Sequence, residues 1–569
     1  VRWQDGETFI VSQIEPNISI KISRGPRQDP APSTLELART REAGAKQDKL
    51  PFFEDVSADL DAVHRDQPFD DSKIQPMLTQ QLSGLAMGLG WLDVDHNGWD
   101  DLVIGEGNKG SMSVIRNVRG TRWTRDFDFD GLEAFGDQTA LSYFGGATWL
   151  LGSSGYEDEE SPVSRIHVTG ARNRSWQPFD SAGQIFEGLG SVTTGDVDLD
   201  GDLDVFVGGR HRVGRFPEPS SSVLLLSEKG DLDADLRNGE TFRDLGMVSG
   251  AMFCHLNDDE WIDLVMTLEW GGIRVFMNSA GTFSDQSKSL GLGNLTGLWQ
   301  SLECGDFNGD GRLDLVAGNW GRNRFPIPSV GHPLRLYYGE AKNPARFVQL
   351  ESYFDEGLDK YVSVLSRDRI AEALPEIVSQ YSDYRTFGMA SVEEILGTLI
   401  PDLKYHEVKM LDSVVLLNKG DGFEVRTLPW ATQTSPVFGL SVADFDGDAK
   451  EDLFLSQNFY ATELDVSPFD AGVGLWLKGD GRGGFEPIES EVSGLRVYGA
   501  GRGSAVSDFD RDGRWDLVVG RHGRMTRLYR NRSGKRGVQV GLVGADGNQA
   551  GVGARIGLRG GGVMGPIRF

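Results

Sequence analysis

Cysteine is almost absent from this sequence of 569 residues, which contains only Cys254 and Cys304. Two cysteines exclude the disulfide framework that holds many small secreted domains together. Buried free thiols are the ordinary state of such residues. A bond between the two is the alternative, because each lies shortly before one of the acidic loops described below. Cysteine usage therefore leaves the redox compartment open.

Long apolar runs and an excess of positive charge are also missing. No stretch approaches the roughly 20 apolar residues of a membrane-spanning helix, so we expect no integral membrane segment. The net charge is −28, which argues against nucleic acid or an anionic membrane surface as a partner. The chain opens on the strand-like segment VRWQDGETFI, without a signal-peptide pattern. We expect it to be a mature or truncated piece.

Familiar catalytic motifs are lacking as well. The eight histidines form no metal-binding or nucleophile motif, and neither a G-x-S-x-G elbow nor a phosphate-binding loop occurs. Paired acidic residues are frequent, but the loop spacing described next explains most of them. We predict that the protein is not an enzyme and has no catalytic residues.

What the sequence does contain is one nine-residue loop written six times. Each copy has carboxylates or amides at positions 1, 3, 5 and 9, with one histidine as the exception. This spacing directs oxygens to one side of a tight loop, so that one segment supplies many ligands to a hard cation. The six sets are Asp93, Asp95, Asn97 and Asp101; Asp196, Asp198, Asp200 and Asp204; His255, Asn257, Asp259 and Asp263; Asp306, Asn308, Asp310 and Asp314; Asp444, Asp446, Asp448 and Asp452; and Asp508, Asp510, Asp512 and Asp516.

The loops share the early spacing of an EF-hand but are not EF-hands. An EF-hand needs a bidentate glutamate at position 12 and flanking helices, whereas position 12 is apolar in every copy. The aspartate at position 9 must then supply the closing carboxylate, and the freely varying position 7 suits a backbone carbonyl ligand. Glycine at position 6 allows the positive φ of a sharp turn. The position-12 residues are Ile104, Val207, Met266, Ala317, Leu455 and Val519, and the position-6 glycines are Gly98, Gly201, Gly311 and Gly513.

The copies are unequal, and we predict about five structural calcium sites, because irregular all-oxygen sites suit calcium better than magnesium. The copies beginning at 196, 306 and 508 are complete, and the copy at 93 nearly so. The copy at 444 has Ala449 at position 6, which strains the turn. The copy at 255 has His255 first and Glu260 at position 6, so we expect it to bind weakly or not at all. A single loop could be an ordinary Asx turn, but six copies at one phase of a repeat argue against that.

Strand patterns around the loops predict an all-β, seven-bladed β-propeller. Apolar strands enter and leave each loop, a third strand follows, and TFRDLG, TFSDQS, GFEVRT and GFEPIE read as fourth strands. The closest loops start 51 residues apart, at His255 and Asp306, which sets the size of a blade. The wider gap after Asp93 leaves room for a seventh blade, from YFGGATWLL and RIHVTGA. Its connection, Gly152 to Ser161, lacks the alternating acids, so we predict it to be metal-free.

The long gap between the loops at 306 and 444 predicts an insertion in that blade, about 344–408. Residues 366–381 have helical spacing, and Pro375 should kink or split that helix. Ser391 and Glu394 form the pattern of a capping box. We therefore expect a small helical excursion there.

The last blade lacks its fourth strand, and an orphan of that type, PFFEDVS, occupies residues 51–57. We predict that this segment pairs into the last blade and closes the ring, since closure removes exposed strand edges. Residues 24–50 have no strand period and read as a linker.

A second surface is expected at the other end of the blades, where the turns after the second strands gather. Aromatic residues beside arginine and asparagine are typical of recognition surfaces, so we predict a ligand-docking face there. The alternative is that its tryptophans only cover the blade cores. The candidate residues are His211, Trp270, Trp320, Arg322, Tyr460, His522 and Arg524.

The acidic loops leading into D-L-hydrophobic strands resemble the FG-GAP/VCBS repeats of integrin-α-type propellers, over roughly 51–535. The C-terminal stretch Asn548 to Arg555, N-x-x-G-V-G-A-R, resembles the start of an ASPIC/UnbV domain. Trp3, Asp5 and Gly6 resemble its end. The chain thus resembles the group containing cartilage acidic protein and bacterial UnbV proteins. That implies residues 1–23 and 536–569 as ASPIC/UnbV portions, 24–50 as linker and 51–535 as propeller. Either the chain is a fragment of a tandem array, which we favour, or the two halves complement each other.

The resemblance implies a secreted or cell-surface calcium-binding protein with a role in adhesion or matrix interaction. We therefore predict an extracellular module that binds a protein or glycan ligand, with calcium structural rather than catalytic. The alternative is a secreted propeller with an enzymatic or accessory role in glycan or secondary-metabolite processing. An acid–base pair at the mouth of the channel would favour that alternative.

Overall fold

Antiparallel β-sheets make up most of the computed structural model. Seven of them, sheets 1 to 7, follow one another along the chain. The mostly-β repeat fold expected from the sequence is confirmed at this level. The structure describes residues 18–23, 34–39, 50–127, 136–145, 148–158, 163–170, 187–324, 326–342, 345–463, 466–537, 539–544, 547–554, 559–560 and 563–564.

Sheets 1 to 3 are meanders in which each strand pairs with the next. Sheet 2 is the additional sheet expected between the first two acidic loops, and three of its strands are described. The strands are, for sheet 1, Leu89–Leu92, Asp101–Ile104, Ser113–Val118 and Arg122–Arg125; for sheet 2, Gln138–Tyr143, Thr148–Ser153 and Arg165–Gly170; and for sheet 3, Leu189–Gly195, Asp204–Gly209, Val223–Glu228 and Asp231–Ala234.

Sheets 4 to 6 repeat the same order, and Gly297–Leu298 adds a short strand to sheet 4. Three of the four phenylalanine-led segments form the expected fourth strands. TFRDLG does not, because Gly239–Arg243 is helical and buries Phe242 between sheets 3 and 4. The strands are, for sheet 4, Met247–Cys254, Asp263–Gly271, Ile273–Ser279 and Thr282–Asp285; for sheet 5, Ser301–Gly305, Asp314–Gly318, Val414–Asn418 and Phe423–Thr427; and for sheet 6, Val437–Ala443, Asp452–Gln457, Leu475–Gly479 and Phe485–Ile488.

Sheet 7 draws one strand from the other end of the chain. Its strands Gly501–Ser507, Asp516–Arg521 and Arg527–Asn531 are completed by Phe53–Asp55, which pairs antiparallel with the third of them. The predicted pairing of the 51–57 segment into the last sheet is confirmed. Phe53 is 1% exposed and packs against Phe445 and Trp476 of sheet 6, so burial of this ring holds the added strand in place.

The hydrophobic core lies between the sheets rather than within any one of them. The second strands are almost entirely buried because both of their faces contact neighbouring sheets. A buried apolar cluster joins each sheet to the next, and another joins sheet 7 to sheet 1 through Phe509, Val518 and Leu102. The first strands of consecutive sheets contact one another, and so do those of sheets 7 and 1.

The insertion is larger than the sequence predicted, and it is not only helical. It separates the second and third strands of sheet 5 and contains a four-stranded antiparallel sheet, the inserted sheet. The helices form as expected: Pro375 splits the first pattern, and Ser391 and Glu394 complete a capping box. The inserted sheet comprises Leu334–Lys342, Ala345–Asp355, Lys360–Ser363 and Lys404–Val408; the helices are Arg367–Ala373, Glu376–Gln380, Tyr384–Gly388, Val392–Leu396 and the 3-10 turn Gly397–Asp402.

Few other helices are present in the described parts of the chain. None of the described helices combines the length and the apolar character that a membrane crossing requires. The remaining helical segments are Ser57–Asp59, Asp71–Lys73, Trp430–Thr434 and Ser490–Ser493.

The two ends of the chain share one sheet. Ile18–Ser23 pairs in parallel with Gln539–Val543 and antiparallel with Thr34–Arg39. The strand Thr34–Arg39 lies within the segment predicted as a linker without strands, and there the structure differs. Arg559–Gly560 and Val563–Met564 form a small hairpin; Trp3, Asp5, Gly6 and Arg555 lie outside the described residues.

Residues 57–85, the covering segment, cross the ends of several sheets on the side away from the acidic loops. The His64 N–H donates to the carbonyl of Arg524 in sheet 7 at 3.0 Å, and the Gln80 amide donates to Glu269 in sheet 4 at 3.0 Å. The Gln75 amide bonds the backbone of Phe216, between the second and third strands of sheet 3. These bonds hold the covering segment against the ends of sheets 3, 4 and 7.

Candidate metal centres and the opposite face

Each loop that begins with aspartate is folded by the same hydrogen bond. The N–H of position 6 donates to the carboxylate of position 1, at 2.8 Å for Gly98, 3.1 Å for Gly201, 2.9 Å for Gly311, 2.8 Å for Ala449 and 2.9 Å for Gly513. This bond closes the turn against the carboxylate of position 1.

Two positions in these loops have left-handed backbone. Position 6 has positive φ in all five, including Ala449 with φ of 67°, where the expected strain of a residue with a side chain is present. Position 4 also has positive φ, which the spacing of acidic residues gave no reason to expect. The position-4 residues are His96, Leu199, Gly309, Gly447 and Arg511.

Position 9 has a structural role that sequence reasoning missed. In sheet 3, Asp204 accepts the N–H of Val197 at 2.8 Å and the N–H of Ser227, in the third strand, at 2.9 Å. It therefore ties the loop to the third strand. The same pair of bonds is made in four other sheets by Asp101, Asp263, Asp314 and Asp452, and Asp516 accepts the third-strand bond in sheet 7.

A recurring asparagine at the end of the third strand links neighbouring sheets. Its side-chain amide donates to the carbonyl of position 2 in the adjacent sheet's loop, at 2.7–2.8 Å. The donors are Asn117, Asn278, Asn418 and Asn531, and the acceptors are Phe509, Val197, Leu256 and Phe445. The signal was visible in segments such as TRLYRN and GIRVFMN, although its meaning depends on the packing of two sheets.

The carboxylates converge in four of the loops. In each, oxygens of positions 1, 3 and 9 lie within 4.8 Å of one another. These trios are Asp93, Asp95 and Asp101; Asp196, Asp198 and Asp204; Asp444, Asp446 and Asp452; and Asp508, Asp510 and Asp516. The loop at Asp306 has the amide of Asn308 at position 3, so it offers one charge fewer.

The residues fit a hard cation such as calcium. In sheet 3, Oδ1 of Asp196 and Oδ1 of Asp198 are buried and accept no hydrogen bond, so lone pairs are available to a metal. Burial, with repulsion from Asp200 and Asp198, raises the pKa of Asp196 to about 7. Burial likewise raises the pKa of Asp204 to about 8. Clustered buried carboxylates are unfavourable without a positive charge between them, and a divalent cation would supply it.

Neighbouring cations distinguish the loops from one another. The Lys478 ammonium contacts Asp446 and lies 2.9 Å from Asp448. The Arg116 guanidinium lies 3.0 Å from the position-9 residue Asp101. In sheet 3 the nearest arginine contact to the trio is 4.0 Å, from a half-exposed side chain. The loop at Asp196 should therefore bind a cation with the least competition.

The loop at His255, which was expected to bind weakly or not at all, is built differently. Its Nδ1 lies 3.2 Å from the carbonyl of Trp261, the backbone oxygen of position 7, and its Nε2 lies 3.0 Å from the carbonyl of Gly553. Neither Asp258 nor Glu260 is among the residues with positive φ. The imidazole thus contacts the backbone carbonyl of Trp261, which a metal ion would use as a ligand. Its contact with Gly553 links this loop to the C-terminal segment.

Replacing Lys478 with methionine should tighten calcium binding in sheet 6. The methionine keeps the apolar stem, which packs at the site, but removes the ammonium that competes for two carboxylates. We expect a roughly two- to fivefold gain in affinity at that loop, the size of a part-exposed ion pair. Calorimetric titration of the wild type and Lys478→Met measures it.

A lysine that pairs with a glutamate outside the acidic loops provides the control for that prediction. Lys419→Met removes an ammonium paired with Glu424 instead and should leave all calcium affinities unchanged. Adding Asp446→Asn to Lys478→Met should abolish the gain. Equal calcium affinities of the wild type and Lys478→Met would show that this lysine does not compete with calcium for the carboxylates.

The residues predicted to form a docking face are not presented together. His211, Trp270 and Trp320 are buried, at 3%, 6% and 1% exposed. Leucines of the covering segment belong to the same buried apolar cluster as both tryptophans. These three side chains are therefore not part of an exposed face, and the alternative, that the tryptophans cover the core, fits their burial. The Arg322 side chain pairs with Asp412.

The other candidates lie near the ends of sheets 6 and 7. Tyr460 and Tyr498 are 45% and 60% exposed, and Arg524 is exposed between them in space. Arg524 packs against Gly499, and its charge acts on Tyr460. We call these three residues the Tyr–Arg patch. Sequence reasoning named Tyr460 and Arg524 but missed Tyr498, which precedes the first strand of sheet 7.

A cavity of about 470 Å³ lies between sheet 4 and the inserted sheet. Its lining includes Trp270 and Arg274 from sheet 4 and Tyr405 and Glu407 from the inserted sheet. No sequence signal marked it, because the inserted sheet itself was not predicted.

Both cysteines are thiols in the structure. Cys254 ends the first strand of sheet 4 and packs against Cys304 in the first strand of sheet 5. Contact with Cys304, together with burial, raises the pKa of the Cys254 thiol. The expectation of buried thiols describes Cys254, while Cys304 is half-buried.

Repeated sheets with an acidic loop between the first two strands define a class of repeat protein with candidate metal loops. Within the chain, residues 255–317 match a family model described as an FG-GAP-like repeat. This span runs from the loop of sheet 4 to the second strand of sheet 5. The repeat family expected from the sequence is supported there.

Two solved structures are similar in outline. The Vibrio cholerae biofilm matrix protein Bap1 is 12% identical, with a TM-score of 0.34, over 84% of this chain and 92% of that chain. Saccharomyces cerevisiae Sqt1 is 11% identical, with a TM-score of 0.37, over 79% of this chain and 95% of that one. At these TM-scores neither bears on function. A comparison with curated proteins gave no match.

Proposed function

We propose that sheets 1 to 7 are the blades of one closed, seven-bladed β-propeller. The proposal is supported by the apolar cluster between sheets 7 and 1 and by the contact between their first strands. It is supported too by the Asn117 amide, which reaches the carbonyl of Phe509 across that junction. The strand Phe53–Asp55 then joins the start of the propeller segment to the last blade as its fourth strand.

The propeller would be an extracellular calcium-binding module that binds a protein or glycan ligand, as an adhesion or matrix-interacting protein does. The converging carboxylates of the acidic loops carry this proposal. Calcium would be structural: the loops lie at one end of the sheets, and position 9 ties each to a third strand. About five ions are expected, with weak or no binding at His255. Extracellular calcium is roughly millimolar, which matches the affinity typical of such modules.

The terminal segments fit the same proposal. Resemblance to ASPIC/UnbV portions suggests that residues 1–23 and 536–569 make one domain beside the propeller. The parallel pairing of Ser19 with Gln539 supports complementation of the two halves. The Asn548 side chain bonds both backbone groups of Val552 at 2.8 Å, which gives the N-x-x-G-V stretch a defined turn. The relation to the cartilage acidic protein group rests on this resemblance.

The ligand would dock at the Tyr–Arg patch. Exposed tyrosines offer flat apolar faces with polar tips, and arginine adds a planar donor group, a combination suited to sugars and to protein surfaces. Its position away from the loop side separates ligand binding from the calcium that stabilises the fold.

Alanine at Tyr460, Tyr498 and Arg524 should remove ligand binding without changing stability. The experiment is a glycan and matrix-protein array probed with the full chain, with and without calcium, followed by affinity measurement on any hit. We expect at least a tenfold loss of affinity, about 1.4 kcal/mol, for the triple variant. Tyr384→Ala, which removes a similarly exposed tyrosine from the insertion, is the control. Undiminished binding by the triple variant would place the docking site elsewhere.

One observation favours the alternative, an enzymatic or accessory role in glycan or secondary-metabolite processing. Nε2 of His522 lies 2.7 Å from Oδ2 of Asp66, which is an acid–base pair on the side where the channel would open. The 470 Å³ cavity is lined by other residues, so a binding module stays the first choice. If the wild type released reducing sugar and His522→Ala did not, the enzymatic role would become the first choice and the binding module the second.

A further inference from the structure

Three carboxylates outside the acidic loops meet on the covered side of the protein. Asp66 belongs to the covering segment, Asp137 immediately precedes the first strand of sheet 2, and Glu157 follows the second strand of that sheet. One oxygen of each lies within 4.8 Å of the others. Sheet 2 was the blade expected to hold no metal, because Gly152 to Ser161 lacks the alternating acids.

Two of the three side chains are almost fully buried and have oxygens that accept no well-formed hydrogen bond. Asp137 and Glu157 are each 6% exposed. Neither oxygen of Glu157 accepts a well-formed hydrogen bond, and neither does Oδ1 of Asp137. The Asn108 side chain approaches Glu157 closely enough to favour its charged form. Buried carboxylate oxygens without donors are costly, so something in addition to the protein should satisfy them.

The surrounding backbone holds the carboxylates in place. Asp66 accepts the N–H of Asn108 at 3.0 Å and contacts His522 through its other oxygen. Asp137 Oδ2 accepts the N–H of Gly84 at 2.6 Å. A Cβ on Gly107 would lie 2.4 Å from Oδ1 of Asp66, so only glycine lets that carboxylate approach. These contacts orient the carboxylates and leave other lone pairs directed at the centre of the cluster.

The charges of neighbouring groups do not balance the cluster. Arg502 is buried nearby, but its guanidinium donates to the carbonyls of Gly84, Asn458 and Gly501. His64 accepts the N–H of Gly523 through Nδ1. With Glu157 charged, the three carboxylates exceed the available positive charge.

Either protons or a cation could resolve this imbalance. Burial, with repulsion from Asp137 and Asp66, raises the pKa of Glu157 to about 10 when no metal is present. A proton would satisfy one oxygen and leave the others unpaired. A divalent cation would accept all three oxygens at once, as carboxylate-lined sites for hard cations do.

We propose that Asp66, Asp137 and Glu157 bind a hard divalent cation, which clamps the covering segment to sheet 2. His522 is the positioning residue that orients Asp66, as outer-shell partners of metal ligands do. The site differs from the acidic loops in face and in construction: its three ligands come from three separate segments. It also explains how residues 57–85, which have little regular structure, are held across the sheets.

Glu157→Gln in the full chain tests the proposal. After chelation and dialysis against calcium, magnesium or manganese, bound metal is counted by mass spectrometry. We expect the variant to hold one cation fewer per chain than the wild type in at least one of the three metals. Glu106→Gln is the matched control: Glu106 is a buried acid on the same side, but its oxygens bond the Arg65 N–H and the Ser113 hydroxyl. It should lose none.

Melting temperatures give a second readout. In chelator the variant should melt above the wild type, because one of three repelling carboxylates is gone. In the bound metal it should melt below the wild type, because the clamp is lost. Equal metal content, with the variant more stable in both conditions, would overturn the proposal and leave a protonated triad.

Two further points keep the test decisive. Should Glu157→Gln not fold, Asp66→Asn replaces it, since Asp66 is only half-buried and belongs to the covering segment. Failure of the acidic loops to bind calcium would still leave one cation per wild-type chain at this site, so the two proposals fail separately.

Discussion

Removal of calcium is expected to lower the free energy of unfolding by roughly 3–8 kcal/mol. Five sites with dissociation constants of about 10⁻⁴–10⁻³ M would each contribute about 0.5–1.6 kcal/mol at millimolar calcium. The sum is comparable with the whole net stability of a domain. The effect is large because the trios of buried carboxylates repel one another once the ion is gone, as the raised pKa values of Asp196, Asp204 and Asp508 indicate.

Thermal unfolding in millimolar calcium and in chelator measures this difference, with magnesium at the same concentration and constant ionic strength as controls. Magnesium should restore little, because irregular sites built from one loop do not give it regular octahedral coordination. Asp196→Asn should reduce the calcium-dependent shift more than His255→Asn, since the loop at His255 is not expected to hold an ion. Coincident melting curves in calcium and chelator would contradict a structural role for the metal.

The features predicted correctly from sequence are those written into short segments. The spacing of Asp508, Asp510 and Asp512 predicts one loop, and the glycine at position 513 predicts the positive φ found there. The capping box of Ser391 and Glu394 is equally local. The pairing of Phe53–Asp55 with sheet 7 was predicted across the whole chain, because the last repeat lacked one strand and the start of the propeller segment had one to spare.

Features that depend on distant segments were missed or wrong. In the inserted sheet, the strand Leu334–Lys342 pairs with Lys404–Val408, which follows the helices. The sequence pattern therefore predicted only a helical excursion. Burial of Trp270 and Trp320 depends on the covering segment, which has no periodic pattern. The cluster of Asp66, Asp137 and Glu157 has no spacing at all, since its members are 71 and 20 residues apart. Only packing brings them together.

The second large effect is expected for Asp263→Ala, which should destabilise the protein by about 2–5 kcal/mol, with or without calcium. Asp263 is fully buried, and it accepts the N–H of Leu256 at 3.1 Å and that of Asn278 at 2.9 Å. Alanine would leave both donors buried and unpaired. The Asn278 amide in turn donates to Val197 of sheet 3 at 2.8 Å, so the loss would extend to the contact between sheets.

The loop of sheet 4 suits this test because its first position is His255 rather than a carboxylate, while position 9 is still aspartate. Asp259→Ala at position 5 is the matched control: it removes an exposed carboxylate of the same loop and should change the unfolding free energy by less than about 0.5 kcal/mol. Denaturant unfolding of both variants, in calcium and in chelator, separates the roles. A loss of stability in Asp263→Ala that vanishes in chelator would show that position 9 acts only through the metal. An equal loss in calcium and in chelator would show that position 9 stabilises the fold itself. The same role would then be expected of position 9 in the other sheets, where it makes the same hydrogen bonds.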